Sequence, residues 1–105
     1  MAVGARRREA ASATPAVKVR WKPSAIRDVQ AHVEYLDQFN PLAASDLTIT
    51  LFTVGDSLAT MPNRGRPGRI SGTRELLAVA PYVIVYEVGQ NEVMILHVWH
   101  GKLLA

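Results

Sequence analysis

The sequence has 105 residues, of which 49% are hydrophobic and 20% charged, as expected for one globular domain. It contains no cysteine, which excludes a disulfide framework and a thiolate metal site, and its three histidines are too few to predict an imidazole zinc site. No metal or other cofactor is therefore predicted. No apolar run reaches the roughly 20 residues of a membrane span, so no membrane association is predicted. The net charge of +3 is weak evidence for an acidic partner.

The first sixteen residues differ in composition from the rest of the chain. They are rich in Ala, Arg and Ser, and no apolar stretch follows their basic residues, so they do not form a secretory signal. We predict a disordered extension over residues 1–16, or a start codon placed too early, and a folded domain over residues 17–105. The absence of cysteine agrees with a cytoplasmic location.

Hydrophobic spacing predicts a strand followed by two helices. Val17, Val19 and Trp21 alternate with three basic residues, which indicates a half-buried strand with one basic face. Pro23 ends this strand and suits the first turn of a helix. The apolar stripe of that helix consists of Ile26, Val29, Val33 and Leu36. Asn40-Pro41 opens a second helix that ends at Pro62, with a seam of Leu47, Leu51, Val54, Leu58 and Met61.

A glycine- and arginine-rich loop separates the helices from three further strands. The loop covers Asn63–Thr73 and holds three glycines, one proline and three arginines. The apolar runs that follow are Glu75–Ala80, Tyr82–Val88 and Val93–Trp99, and the short turn Gly89-Gln90-Asn91 makes the last two a hairpin. The predicted fold is α+β, in the order β-α-α-β-β-β, with a helical hairpin packed on a small antiparallel sheet.

Three stretches of this chain, in their order and spacing, resemble the RelE/ParE superfamily of bacterial toxins, which includes plasmid stabilisation proteins. They are Val19–Asp28, Gly65–Leu76, and the pair Pro81–Tyr86 with Ile95–Gly101. The Gly-Arg-Pro-Gly-Arg sequence that leads into Thr-Arg-Glu-Leu is the most specific of these motifs. The superfamily has the element order predicted above, so the resemblance implies a RelE-like fold.

The resemblance also implies a function. It implies the cytoplasmic toxin of a type II toxin–antitoxin system, which a cognate antitoxin neutralises by forming a hetero-oligomer. ParE-like members inhibit growth by binding DNA gyrase, and this is the favoured interpretation. One alternative is a RelE-like, ribosome-dependent and metal-independent mRNA endonuclease. A second alternative is a weakened remnant that still binds its antitoxin, which the short C-terminus allows. The fold does not decide between the gyrase and the mRNA target.

Arginines dominate the candidate binding surface. Arg64, Arg66, Arg69 and Arg74 lie within eleven residues that contain no acidic side chain. The planar guanidinium group suits phosphate and carboxylate, and glycines let backbone amides approach the same group. We therefore expect this loop to bind a nucleic-acid backbone or an acidic protein surface, with Tyr82 available to stack on a base. A solvated turn is the alternative.

His100 and Arg74 are the candidate catalytic residues for an endonuclease. Histidine is a side chain that can act as base or acid in catalysis, and His100 matches the histidine that ends the last strand of some RelE-type nucleases. Arg74 would steady the phosphate. We expect His97 and Trp99 to share a strand face with Val93 and Ile95, which favours a core or antitoxin-binding role for them.

Departures from the RelE-like pattern favour the gyrase interpretation. Val83 stands where RelE-like enzymes carry an arginine, and Glu87 stands where nearer relatives commonly carry one. Only four residues follow Gly101, whereas RelE-like enzymes continue into a tail with basic and tyrosine residues. Loss of these groups weakens a phosphate-cleaving site.

Overall fold

A computed structural model describes residues 17–101 of the chain. The predicted extension over residues 1–16 and the last four residues of the predicted domain lie outside this range, so the domain boundaries stay a prediction. The described residues form two α-helices, a 3-10 turn and five strands. In chain order they are β1 (Lys18–Trp21), α1 (Pro23–Asp37), α2 (Pro41–Asp56), the 3-10 turn (Ser57–Ala59), β2 (Arg66–Pro67), β3 (Arg74–Val79), β4 (Tyr82–Val88) and β5 (Glu92–His100).

The strands form one sheet in the order β1-β5-β4-β3-β2. Strands β2 to β5 are antiparallel neighbours, which short turns allow, whereas β1 pairs with β5 in parallel. The parallel pair arises because both helices lie between β1 and the rest of the sheet in the chain. The predicted α+β fold, with a helical hairpin on a sheet, is confirmed. The sheet is mixed and gains the two-residue strand β2, so it is not wholly antiparallel.

Both helices begin where the prolines predict. Pro23 and Pro41 occupy the first turn of α1 and α2, and the side-chain oxygen of Asn40 accepts a hydrogen bond from the Ala43 N–H at 3.0 Å. Helix α2 ends at Asp56, earlier than predicted, because the chain tightens into the 3-10 turn that buries Leu58. No helix within residues 17–101 is long and apolar enough to cross a membrane.

The core lies between the helical hairpin and one face of the sheet. Its fully buried side chains include Leu51, Leu58, Ile84, Tyr86 and Ile95. Each buried side chain of this size contributes about 1.5–3 kcal/mol relative to exposure. We call this side of the sheet the helix face.

Strand β5 contains one extra residue, which changes the face that its later side chains occupy. Val85 pairs with His97 and Tyr86 pairs with Ile95, so Leu96 has no residue opposite it in β4. Ile95 therefore points to the helix face, as does Val98, whereas His97 points to the other side. The expectation that His97 and Trp99 share a face with Val93 and Ile95 is wrong, because a bulge reverses the alternation.

Candidate functional site

Helix α1 covers the edge of β5 where β1 ends. Three side chains one turn apart on α1 bond to the backbone of β5. Ser24 Oγ donates to Leu96 O at 2.7 Å, Asp28 Oδ2 accepts from Val98 N at 2.9 Å, and His32 Nε2 lies 2.8 Å from Val98 O. These contacts satisfy backbone groups that an adjacent strand would otherwise satisfy. His32 therefore has a defined structural partner, which sequence reasoning missed because the contacts join residues far apart in the chain.

Asp28 also orients His97 on the face opposite the helices. Its Oδ2 atom lies 3.0 Å from His97 Nδ1, which donates to it, and the two side chains are 29% and 41% exposed. The His97 ring stacks on Trp99 with centroids 5.7 Å apart. With Nδ1 as the donor, Nε2 of the neutral ring is a free acceptor. A carboxylate that orients an imidazole in this way is an arrangement that acid–base catalysts use.

The four arginines predicted to bind a target all have partners within the protein. Arg64 Nη1 donates to Ser57 Oγ at 2.6 Å, and Arg74 Nη1 donates to Gly65 O at 2.6 Å. Arg66 and Arg69 both pair with Glu75. The loop thus presents its guanidinium groups from fixed positions, while Glu75 neutralises only one of the four charges.

Glu75 fixes the arginine loop to the sheet. Its side chain is 2% exposed and accepts from Arg69 N at 3.0 Å, Arg69 Nε at 3.3 Å and Arg66 Nη2 at 3.2 Å. The backbone hydrogen bond from Arg69 is the main reason that the pKa of Glu75 lies below its ordinary value. Burial opposes this shift, and the Arg66 hydrogen bond and both guanidinium charges reinforce it. Sequence reasoning missed Glu75, which stands one residue beyond the run of arginines.

Tyr86 holds the start of the same loop from the helix face. Its buried hydroxyl donates to Pro62 O and accepts from Gly65 N, both at 2.8 Å. A Cβ atom at Gly65 would lie 2.8 Å from that hydroxyl and from Glu75 O. Glycine at this position therefore permits the close approach of loop and sheet.

Tyr82 and His100 lie away from the arginines, on the helix face. They form an aromatic cluster with His32: the centroid of Tyr82 is 5.1 Å from that of His32 and 5.3 Å from that of His100. A cavity of about 380 Å³ opens beside them, lined also by Tyr35 and Leu36. Among residues 17–101, no group of three or more acidic, His or Cys side chains is placed to hold a metal ion.

The structure separates the two candidate catalytic residues. His100 pairs with Tyr82 and Arg74 pairs with Tyr86, on strands at opposite sides of β4. The two β4 positions are four residues apart, which corresponds to about 13 Å along the strand. Tyr82 and His100 therefore lie apart from Arg74. The cross-strand pairs place Arg66 beside Glu75 and Arg74 beside Tyr86, so Arg66 and Arg74 point to opposite faces of the sheet. The binding and catalytic roles of these residues stay predictions.

Comparisons with known proteins agree on a family. The sequence model of a protein family, the ParE toxin of the type II toxin–antitoxin system parDE, matches residues 19–103 of this chain. Toxin RelE2 of Caulobacter vibrioides is 41% identical over 87 residues, which cover 83% of this chain and 98% of that protein. Putative toxin Y4kP of Sinorhizobium fredii is 40% identical over 85 residues, which cover 80% and 88%.

Solved structures share the fold. A chain of the chromosomal ParDE system from P. aeruginosa superposes with a TM-score of 0.74 at 22% identity, covering 80% of this chain and 95% of that one. A chain of the RelBE2 toxin–antitoxin complex from Mycobacterium tuberculosis has a TM-score of 0.58 at 24% identity, with coverage of 82% and 92%. Because the family model matches most of this chain's length, the chain belongs to the ParE toxin family of type II toxin–antitoxin systems, within the RelE/ParE superfamily.

Proposed function

We propose that this chain inhibits growth by binding DNA gyrase and that a cognate antitoxin neutralises it. The observation that carries this proposal is the fixed arginine loop. Arg66 and Arg69 are held by Glu75, whereas His100 lies at the far end of β4 from Arg74. A cationic surface from which the predicted catalytic histidine, His100, is remote suits binding to an acidic surface better than cleavage of a phosphodiester.

Exposed apolar side chains support the antitoxin as partner. Four of them lie on the helical hairpin and the turn between its helices, and are between 64% and 80% exposed: Tyr35, Phe39, Leu42 and Ile49. Apolar surface of this kind is typical of a protein–protein interface. One of the solved structures above belongs to a ParDE toxin–antitoxin system, and the other is a RelBE2 toxin–antitoxin complex. The positive charge of the arginine loop favours an acidic antitoxin.

The second candidate function is an mRNA endonuclease, and the Asp28–His97 pair favours it. Glu75, Val85 and His97 lie side by side on three neighbouring strands. Two strand spacings, about 10 Å, therefore separate the backbone positions of Glu75 and His97. In this function, His97 would take the proton of a 2′-hydroxyl while Arg66 and Arg69 steady the phosphate. His97, rather than His100, is the better placed base.

Growth and target assays separate these functions. Induction of the chain in a bacterial host should arrest growth, and co-expression of the protein encoded by the adjacent gene should restore it. The purified chain should inhibit supercoiling of relaxed plasmid by gyrase, and Arg64→Gln should weaken that inhibition while Arg27→Gln, an exposed control on α1, should not. Cleavage of mRNA in a translating extract, lost in His97→Ala, with normal supercoiling would refute the gyrase proposal. The absence of arrest together with antitoxin binding would indicate a remnant.

A further inference from the structure

We propose that the outer edge of strand β3 receives an extended, acidic segment of the antitoxin as an additional strand. This edge is only partly covered, because β2 pairs with Arg74 and Glu75 alone. Within residues 17–101, no strand lies on the outer side of the rest of β3, from Leu76 to Val79. The inference rests on the proposed function, since it names the antitoxin and states how it neutralises the arginine loop.

The backbone of Leu77 points toward this open edge. Thr73 O accepts a hydrogen bond from Gly68 N at 2.7 Å, on the side of β2. The carbonyl oxygen of Glu75 points to the same side, since it lies 2.8 Å from the Cβ position of Gly65. Alternate residues of a strand direct their backbone groups to one side, so the N–H and C=O of Leu77 continue the series. An added strand can bond to both groups, because β2 does not reach them.

A cavity of about 310 Å³ opens at this point of the edge, because the chain turns away from β3 just before β2 begins. The Tyr86 hydroxyl accepts from Gly65 N, and Arg64 Nη1 donates to Ser57 Oγ, so both loop residues are held toward the helices. The space that they leave is lined by residues that include Arg64, Arg66, Leu76, Leu77 and Val83. A side chain of an added strand can therefore enter the sheet edge here.

The lining favours a segment that carries both acidic and apolar side chains. No acidic group within residues 17–101 forms an ion pair with Arg64, so its charge is available to a carboxylate. Leu77 is 61% exposed and lies on the same face as Val83, so an apolar side chain can cover it. A second copy of this chain would instead bring a further net charge of +3 to the same arginines.

The place of this edge in the fold accounts for neutralisation by the antitoxin. Helix α2 carries the exposed side chains of Leu42 and Ile49 and packs against β3. A partner docked on the helical hairpin can therefore continue onto the edge of the sheet. Its carboxylates then pair with Arg64 and cover the surface that contacts gyrase in the proposed function.

Amide exchange at Leu77 tests strand addition directly. In the complex of this chain with the protein encoded by the adjacent gene, we expect the Leu77 N–H to exchange roughly tenfold or more slowly than in the isolated chain. The Leu76 N–H, which points to β4, should exchange slowly in both and serves as the control.

Each other outcome of the exchange experiment rejects the inference. An unchanged rate at Leu77 in a complex that does form would overturn strand addition and leave the proposed function intact, whereas failure to form any complex would count against both. Protection of Leu77 in the isolated chain that increases with its concentration would assign the edge to a second copy.

A matched pair of substitutions tests the acidic character of the segment. Leu77→Lys and Leu77→Glu remove the same apolar contact at an exposed position and differ in charge. By isothermal titration calorimetry, Leu77→Lys should bind the antitoxin roughly three- to tenfold more tightly than Leu77→Glu. Val88→Lys and Val88→Glu, at the exposed end of β4, should differ by less than about twofold. Equal affinities of the two Leu77 variants, or the reverse order, would rule out an acidic occupant.

Discussion

Replacement of Glu75 by glutamine tests whether this carboxylate holds the arginine loop on the sheet. The side chain is 2% exposed and receives three hydrogen bonds, one of them from the Arg69 backbone. Glu75→Gln keeps the shape of the side chain but removes its charge and one acceptor oxygen. The backbone N–H of Arg69 and the two guanidinium groups then compete for a single neutral oxygen.

The cost follows from the number and kind of bonds. A hydrogen bond to a charged group contributes about 1.5–3 kcal/mol. The side chains of Arg66 and Arg69 are 70% and 47% exposed, so solvent screens their share, and the backbone bond carries most of the effect. We expect Glu75→Gln to lower the free energy of unfolding by about 2 kcal/mol at pH 7. In a domain of this size, that corresponds to a fall in Tm of roughly 8–16 °C.

The same interaction makes the loss depend on pH. Because folding lowers the pKa of Glu75 from its ordinary value of 4.5, the carboxylate stabilises the fold fully above that value. Its contribution disappears as pH falls from 4.5 through the lowered pKa of the folded state. The stability difference between the wild-type chain and Glu75→Gln should therefore be constant near neutrality and shrink below pH 4.5. Urea denaturation at several pH values, followed by circular dichroism, measures this difference.

Glu87→Gln is the matched control, because Glu87 lies in the neighbouring strand β4 and is exposed. It should change the unfolding free energy by less than about 0.5 kcal/mol. If Glu75→Gln were as stable as Glu87→Gln at pH 7, the loop would not depend on this carboxylate. A difference that grew at low pH would show that the sign of the pKa shift is wrong.

Two further substitutions test contacts on the helix face, each by thermal denaturation. Tyr86→Phe removes the hydroxyl that joins Pro62 O to Gly65 N and should lower the free energy of unfolding by about 1–3 kcal/mol. Tyr35→Phe, at an exposed site, should lower it little. Equal losses of stability in the two variants would contradict a specific role for the Tyr86 hydroxyl. Gly55→Ala places a Cβ atom 2.3 Å from the Trp21 ring and should destabilise by about 1–3 kcal/mol, and an unchanged Tm would mean that the ring moves freely.

The elements were predictable from the sequence because local signals determine them. Pro23 and Asn40-Pro41 set the starts of the helices, and the apolar run Tyr82–Val88 predicted a strand, whose residues 82, 84 and 86 face the core. The parallel placement of β1 beside β5 was not predictable, because it depends on how the hairpin packs rather than on any residue of β1. The contact between Asp28 and β5 escaped prediction for the same reason, since it joins residues 70 positions apart.

The site divides in a way that alternation alone could not predict. Without the bulge at Leu96, His97 would share the helix face with Ile95, and His100 would lie on the opposite face. The extra residue reverses both positions. It brings His97 to Asp28 on the side of Glu75, and it turns His100 toward Tyr82, on the face opposite Glu75. A strand sequence specifies a bulge only weakly, because the extra residue is accommodated by the partner strand and by α1. If the chain is an endonuclease, the second candidate function proposed above, His97 is therefore better placed than His100 to act as its base.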